Sequence, residues 1–192
     1  DLPRRHRVST TAGGMVTVTG GKLTTYREMA EDAVDAAIGM LGDPIPRRAG
    51  RSRTRKLRLR GAEGWDDART ADLHLAERYG GEAGVVQAMM AAEPSLAEPL
   101  VPGLPYRRAE ALYAARYEMA TTLDDVLSRR TRARLRNRDA TAQAAAEVAA
   151  LVGDELGWSE AERAAQVASY RQASERERLA PGLPEIAAIA GA

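Results

Sequence analysis

The residues best suited to chemistry in this chain lie at one turn, Gly20-Gly21-Lys22. Two β-branched residues of a predicted strand over residues 14–19, Val16 and Val18, precede the turn, and a strongly helical run begins at Tyr26. The start of a helix presents backbone N–H groups that have no partner within the helix, and the helix dipole adds positive potential there. Lys22 adds a full charge. The turn therefore predicts a site for an electron-rich or anionic group.

Known phosphate-binding loops do not account for this turn. The Gly-x-x-x-x-Gly-Lys spacing of nucleotide-binding P-loops is absent, and so is the Gly-x-Gly-x-x-Gly fingerprint of dinucleotide-binding folds. The alternative is a plain strand-to-helix turn whose glycines only supply positive φ angles. Lys22 favours a binding site over a plain turn, because the chain has only two lysines, Lys22 and Lys56, among many arginines.

Composition excludes several classes of site. The chain has 192 residues and no cysteine, so disulfides, thiolate metal sites and cysteine nucleophiles are excluded. The only histidines, His6 and His74, are far apart in sequence, and we expect no metal site and assign no catalytic residue. The net charge of +1 names no partner. With no apolar run of about 20 residues and no signal-peptide core, we expect a cytoplasmic protein.

The elements that must position the turn follow from hydrophobic periodicity. A helix is predicted from Tyr26 to Leu41, ended by Gly42, while residues 1–13 show no periodicity. Residues 43–64 form a Pro/Gly/Arg-rich connector with a short strand predicted at residues 56–61. The last residues, 181–192, form a predicted tail.

Beyond the connector nearly everything is predicted to be helical, which makes the fold class mainly α. Helices are predicted over residues 66–79, 82–92, 108–130 and 139–152, and from the N-cap Ser159 to about residue 179. Asp139 is the predicted N-cap of the fourth, and Glu162 completes a capping box with Ser159. Residues 98–106 contain three prolines and are predicted to be extended.

Other charged residues carry weaker signals. Glu110 and Glu118 recur at helical spacing, which allows acid/base or di-metal chemistry, but no Glu-x-x-His partner exists, so we favour ordinary surface and core positions. His74 is predicted to be a partly buried structural residue. The arginines of residues 129–138 are expected to form salt bridges with Asp124 and Asp125. The alternative function is a non-catalytic, Arg-rich helical module that binds nucleic acid or anionic lipid.

Two sequence blocks resemble a known family. Residues 16–35, VTVTGGKLTTYREMAEDAVD, closely resemble the end of the flavin domain of FAD-dependent glycerol-3-phosphate dehydrogenases. Residues 98–135, from EPLVPGLPY to RRTRARL, resemble the helical signature of the same family, and residues 55–64 and 77–83 resemble the segments between the blocks. The blocks occur in the family's order along nearly the whole chain.

The resemblance implies a flavoenzyme that oxidises sn-glycerol 3-phosphate to dihydroxyacetone phosphate, with hydride passing to FAD and electrons to a quinone. Gly20, Gly21, Leu23 and Thr24 would contact the flavin, chiefly through backbone groups, and Lys22 would face the flavin and the substrate. Two neighbouring residues, Thr25 and Arg27, are weaker candidates for the same site.

The resemblance also sets the expected organisation of the chain. The family's Gly-x-Gly-x-x-Gly half is missing, and the first residue is not Met, so we expect a C-terminal part that is inactive alone. Residues 1–42 would be the end of the FAD-binding domain, a strand–turn–helix remnant of an α/β fold, and residues 65–180 an all-α, multi-helix bundle. No nucleic acid partner is expected. The resemblance is compatible with peripheral attachment at the inner face of the cell membrane and with a homodimer.

Overall fold

The computed structural model describes residues 5–41, 50 and 52–180 of the chain. Within these residues it contains eight α-helices and one two-stranded sheet, which confirms the mainly α prediction. The chain divides into two compact units between Leu59 and Arg60. Each unit is described by itself.

The first unit begins with a β-hairpin. Strand β1 (Arg7–Thr10) pairs antiparallel with β2 (Val16–Thr19), in a register that sets Val8 opposite Val18. Strand β2 lies within the strand predicted at residues 14–19. Strand β1 was not predicted, because its four residues are mostly polar and exposed and show no apolar alternation. Only pairing with β2 makes it a strand.

A short 3₁₀ turn, Leu23–Thr25, leads from the hairpin into helix α1 (Tyr26–Leu41), whose bounds agree with the prediction. Among the residues described in this unit, none is buried. Eight large apolar side chains are exposed: Met15, Leu23, Tyr26, Val34, Met40, Leu41, Leu57 and Leu59. Because apolar burial is the main stabilising contribution in folding, this unit gains little stability from its own interior.

The second unit is helical. Its helices are α2 (Trp65–Ala71), α3 (Leu73–Tyr79), α4 (Ala83–Ala92), α5 (Arg108–Tyr117), α6 (Ala133–Arg136), α7 (Arg138–Leu156) and α8 (Glu160–Arg178). The helix predicted over residues 66–79 is two helices, because Asp72 adopts an extended backbone and its carboxylate accepts the Leu75 N–H at 3.0 Å.

Helix α5 lies between two apolar clusters. One cluster includes Leu100, Leu123, Leu127, Val148, Val152 and Tyr170, and α5 adds Ala111 and Ala114. The other includes Leu75, Tyr79, Val86 and Leu96, and α5 adds Ala109, Leu112 and Tyr113. All but one of the residues from Ala109 to Ala114 are apolar and every one is buried, so this helix has core contacts on more than one side.

The single helix predicted over residues 108–130 is wrong. Helix α5 ends at Tyr117, and Met119 takes a left-handed backbone with φ 58°. The chain becomes helical again after Thr122 and continues as one π-helical turn, Asp125–Arg130. Apolar residues on both sides of the break keep helical spacing, so periodicity alone could not reveal it.

A reciprocal cap restarts the helix. The Thr122 N–H donates to the Asp125 carboxylate at 3.0 Å, and the Asp125 N–H donates to the Thr122 hydroxyl at 3.0 Å. The Thr121 N–H also donates to this carboxylate, at 3.2 Å. The geometry is that of a capping box and fixes where the second helical segment starts.

Other predicted details also differ. Residues 56–61 form no strand, since residues 54–56 make a turn in which the Lys56 N–H donates to the Arg53 carbonyl at 3.0 Å. Residues 98–106 are not simply extended but fold back on themselves, with the Leu100 N–H donating to the Tyr106 carbonyl at 2.8 Å. The turn in the middle of this segment, at Pro102 and Gly103, depends on proline and glycine geometry rather than on periodicity.

Of the caps predicted for the last two helices, the one for α7 is wrong and the one for α8 is correct. Helix α7 is capped by Asn137, whose side chain accepts the Ala140 N–H at 3.0 Å, and not by Asp139. The Ser159–Glu162 capping box of α8 is confirmed, with the Ser159 N–H donating to the Glu162 carboxylate at 2.7 Å. The predicted tail, residues 181–192, lies outside the described residues, as do Gly42 at the predicted helix end and residues 43–49 and 51 of the predicted connector.

The cap at Asp125 predicts a measurable effect on stability. Removing its carboxylate in Asp125→Ala leaves the N–H groups of Thr121 and Thr122 without their acceptor, so we expect a loss of about 1–2 kcal/mol in the free energy of unfolding. Urea unfolding measures the loss. Asp67→Ala, at an exposed position in the first turn of α2, is the control and should change the free energy by less than about 0.5 kcal/mol.

The same variant should have a pH-dependent effect. Partial burial raises the pKa of Asp125, but the Thr122 hydroxyl, the two N–H groups and Arg129 outweigh it and hold the pKa below its ordinary value. A carboxyl with a lowered pKa in the folded state stabilises above its unfolded pKa and loses that contribution as the pH falls. The difference between Asp125→Ala and wild type should therefore stay constant above about pH 5 and shrink as the pH falls below the ordinary pKa of 3.8. A difference that does not shrink would contradict the assigned role.

Candidate functional site

The glycine turn adopts the conformation that its sequence predicted. Gly20 and Gly21 have φ angles of 74° and 85°, in the left-handed region that favours glycine. They connect the end of β2 to the 3₁₀ turn that precedes α1. A Cβ at Gly21 would overlap the sulfur of Met29 unless the end of that flexible side chain moved, and it would lie 3.2 Å from the His6 Cβ.

Thr25 closes this turn from inside. Its hydroxyl accepts the Lys22 N–H at 3.1 Å and donates to the Lys22 carbonyl at 3.0 Å, and its own N–H donates to that carbonyl at 3.0 Å. In the described part of the chain, no loop carbonyl and no side chain accepts a hydrogen bond from the N–H of Leu23 or Thr24. Thr25 therefore shapes the site, and the two N–H groups before it are available to a ligand.

The five candidate residues, Gly20 to Thr24, are consecutive, and all except the half-buried Gly21 are exposed. The side chains of Lys22, Leu23 and Thr24 are exposed, with Leu23 at 89%. Lys22 makes no ion pair with any residue that the structure describes. An uncompensated ammonium at the start of a 16-residue helix gives the site a positive potential.

Arg27, a weaker candidate, is occupied within the first unit. Its guanidinium pairs with the Glu31 carboxylate and donates to the Thr54 hydroxyl at 3.1 Å. The i,i+4 spacing of Arg27 and Glu31 brings them together on one face of α1. Arg27 is therefore part of the support of this unit, and a ligand would have to displace these partners.

The second unit contains a polar cluster that the sequence did not reveal. Glu110 has no exposed surface, yet its carboxylate accepts hydrogen bonds from Arg78 Nε at 2.7 Å and from the Tyr79 hydroxyl at 3.0 Å. It also accepts the Arg107 N–H at 2.8 Å and contacts His74 Nε2 at 2.9 Å. His74 is half-buried, as predicted.

This cluster joins three parts of the helical unit. Besides pairing with Glu110 on α5, Arg78 of α3 donates to the Arg130 carbonyl at 2.9 Å and lies 4.9 Å from the centre of the Tyr106 ring. Burial and the Glu110 charge raise the pKa of the Tyr79 hydroxyl, so Tyr79 stays a neutral donor. A carboxylate with four donors and no solvent contact cannot reach a substrate. We assign Glu110 to the scaffold.

Two of the arginines after residue 128 form the salt bridges that we expected. Arg129 pairs with Asp124 at 2.6 Å and with Asp125 at 3.0 Å, and Arg134 lies 3.5 Å from Asp124. Arg134 also pairs with Glu177 at 2.7 Å, which the sequence did not predict. Such pairing removes free positive charge from this surface and weakens the interpretation as a nucleic acid-binding module. Among the described residues, no group of three or more His, Asp or Glu could hold a metal, and no helix is long and apolar enough to cross a membrane.

Comparison with known proteins identifies the family of this chain. Residues 52–163 match the profile of a family described as the C-terminal domain of alpha-glycerophosphate oxidase. The chain belongs to this family. This matched region includes helices α2 to α7 and therefore the Glu110 cluster.

Individual relatives extend the similarity. The chain is 38% identical to glycerol-3-phosphate dehydrogenase 2 of Mycobacterium tuberculosis over 198 residues, which cover 96% of this chain and 33% of the relative. It is 37% identical to the mitochondrial glycerol-3-phosphate dehydrogenase of Mus musculus over 83% of this chain and 23% of the relative. The chain thus spans a third or less of the length of these relatives. A 96% alignment leaves too few residues uncovered to miss the turn at residues 20–24.

The buried cluster predicts a large effect at Glu110 that an exposed carboxylate should not show. Glu110→Gln keeps the shape but removes the charge that balances Arg78, so we expect a loss of about 3 kcal/mol in the free energy of unfolding. Chemical denaturation followed by circular dichroism measures it. Glu147→Gln, on an exposed position of α7, should change stability by less than about 0.5 kcal/mol. Equal effects of both variants would contradict the assigned role of Glu110.

Proposed function

We propose that this chain is the C-terminal part of a flavoenzyme that oxidises sn-glycerol 3-phosphate to dihydroxyacetone phosphate. The observation that carries the proposal is the similarity to glycerol-3-phosphate dehydrogenases over 96% of the chain, which includes the glycine turn. The family match over residues 52–163 supports it independently of the turn.

FAD is the proposed cofactor, and the exposed turn fits one edge of a flavin. Gly20 and Gly21 would let the backbone approach the ring closely, and the N–H groups of Leu23 and Thr24 would donate to it. The exposed Leu23 side chain would give the ring an apolar neighbour. When bound, FAD would supply the acceptor for a hydride from C2 of glycerol 3-phosphate, with a quinone as the proposed final electron acceptor.

Lys22 is the proposed substrate-binding residue. Its ammonium is exposed and has no ion-pair partner in the described part of the chain, so it is available to an anionic group. A cation here would stabilise negative charge that develops on the flavin edge or would bind the substrate phosphate.

The organisation that we propose separates the site from its scaffold. Residues 1–42 form the end of the FAD-binding domain, residues 43–64 a connector, residues 65–180 an all-α C-terminal domain and residues 181–192 a tail. No catalytic residue is assigned in this chain, and the fully buried Glu110 is part of the scaffold. We also propose a cytoplasmic protein that attaches peripherally to the inner face of the membrane, where quinone is available, and that forms a homodimer.

Lys22 gives the proposal a direct test. In the whole protein, Lys22→Ala should lower kcat/KM for glycerol 3-phosphate by about 100-fold, because it removes a charge that acts on the reacting groups. Steady-state kinetics measure the change. The matched control is Lys56→Ala, which removes the other lysine of the chain from an exposed position and should leave kcat/KM within about twofold.

Lys22→Arg separates charge from geometry. It keeps a positive charge, so it should recover part of the activity that Lys22→Ala loses. Wild-type kinetics in Lys22→Ala would remove Lys22 from the site. A wild-type protein that carries flavin but does not oxidise glycerol 3-phosphate would contradict the proposed substrate.

A further inference from the structure

The underside of the glycine turn rests on two side chains. Gly21 packs against Met29 so closely that a Cβ would overlap its sulfur and lie 2.9 Å from its Cε, and the His6 Cβ would be 3.2 Å away. Met29 lies in the first turn of α1, and His6 directly precedes β1. The turn is therefore held between the start of the hairpin and the start of the helix.

The position of His6 is itself fixed by a charged residue. His6 Nε2 lies 2.6 Å from an Asp32 carboxylate oxygen, and because the carboxylate only accepts, the ring nitrogen carries the proton of this hydrogen bond. The His6 side chain is only 17% exposed, while Asp32 is 56% exposed. Asp32 follows Met29 by three residues, so both project from the same face of α1.

Few other contacts can fix this turn. The first unit has no buried residue among those described, and the turn contains two successive glycines with positive φ. Two glycines give the backbone wide freedom in the absence of packing. A hydrogen bond to a charged group is shorter and stronger than a neutral one, and 2.6 Å is a short distance.

We propose that His6, Met29 and Asp32 form a positioning clamp that sets the direction of the N–H groups following Gly21. These residues would not touch the flavin or the substrate; they act by holding the turn in place. The inference rests on the proposed function, because the consequence of a misplaced turn is a misplaced flavin contact. Met29 supplies the packing surface, and the hydrogen bond between His6 and Asp32 holds the two sides of the clamp together.

The test uses the whole protein and two aspartates of one helix. Asp32→Ala and His6→Ala should each weaken flavin binding by about tenfold, the effect of losing one charge-assisted hydrogen bond. They should also shift the visible absorption spectrum of the bound flavin. Asp35→Ala is the control, because Asp35 is exposed on the same helix. This variant should change neither the flavin affinity nor the absorption spectrum.

Two further variants separate positioning from simple stabilisation. Asp32→Asn keeps an oxygen acceptor for the His6 N–H, so it should restore most of the flavin affinity. The double variant His6→Ala/Asp32→Ala should bind flavin no more weakly than either single variant, because both remove the same interaction. Thermal melting of each variant without flavin should match that of the wild type.

The outcomes are distinguishable. Wild-type flavin affinity and spectrum in Asp32→Ala and His6→Ala would overturn the clamp and leave the proposed function intact. Weaker binding that follows an equal loss of thermal stability, or that also appears in Asp35→Ala, would likewise overturn it. A wild-type protein that binds no flavin would overturn the proposed function and the clamp together.

Discussion

The helical unit depends on one buried charge, the carboxylate of Glu110. Four groups from α3 and the start of α5 converge on it, and Arg78 extends the cluster to the Arg130 carbonyl. A buried carboxylate is tolerated only when charge and hydrogen bonds compensate its loss of water. The cluster therefore constrains where α3, α5 and the π-helical turn lie relative to one another. It also lies beside the cluster of Leu75, Tyr79 and Leu112, so polar and apolar contacts fix the same elements.

The first unit is built on the opposite principle. It has no buried residue among those described, and its most specific feature is a turn of two glycines followed by an exposed lysine. Binding groups must stay accessible, so a site of this kind cannot bury the residues that form it. The support comes instead from a few local contacts: the Thr25 hydroxyl within the turn and the side chains of His6 and Met29 beneath it. Stability and ligand contact thus rest on different residues.

Local signals predicted the elements that depend on local physics. Helix α1 and the Ser159 capping box followed from periodicity and from capping residues three positions apart. The break at Met119 could not be predicted, because apolar spacing continues across it. Strand β1 could not be predicted either, since it exists through its pairing with β2. Asn137 and Asp139 are both suitable capping residues two positions apart, and helix α7 is capped by the first of them, Asn137.

In the candidate site too, features formed by neighbouring residues could be predicted, and contacts between distant residues could not. The turn at residues 20–24 was recognisable from sequence because its residues are consecutive, whereas His6 and Asp32 are 26 residues apart and only the folded hairpin and helix bring them together. Three partners of Glu110, His74, Arg78 and Tyr79, lie more than 30 residues before it in the sequence, which explains why the cluster was not predicted.

Anaerobic titration of the purified whole protein with glycerol 3-phosphate tests whether this chain is part of a flavin-dependent glycerol-3-phosphate dehydrogenase. We expect a bound flavin whose visible absorbance bleaches on addition of glycerol 3-phosphate and returns on addition of a quinone. A protein without flavin, or one whose flavin keeps its oxidised spectrum in the presence of glycerol 3-phosphate, would contradict it.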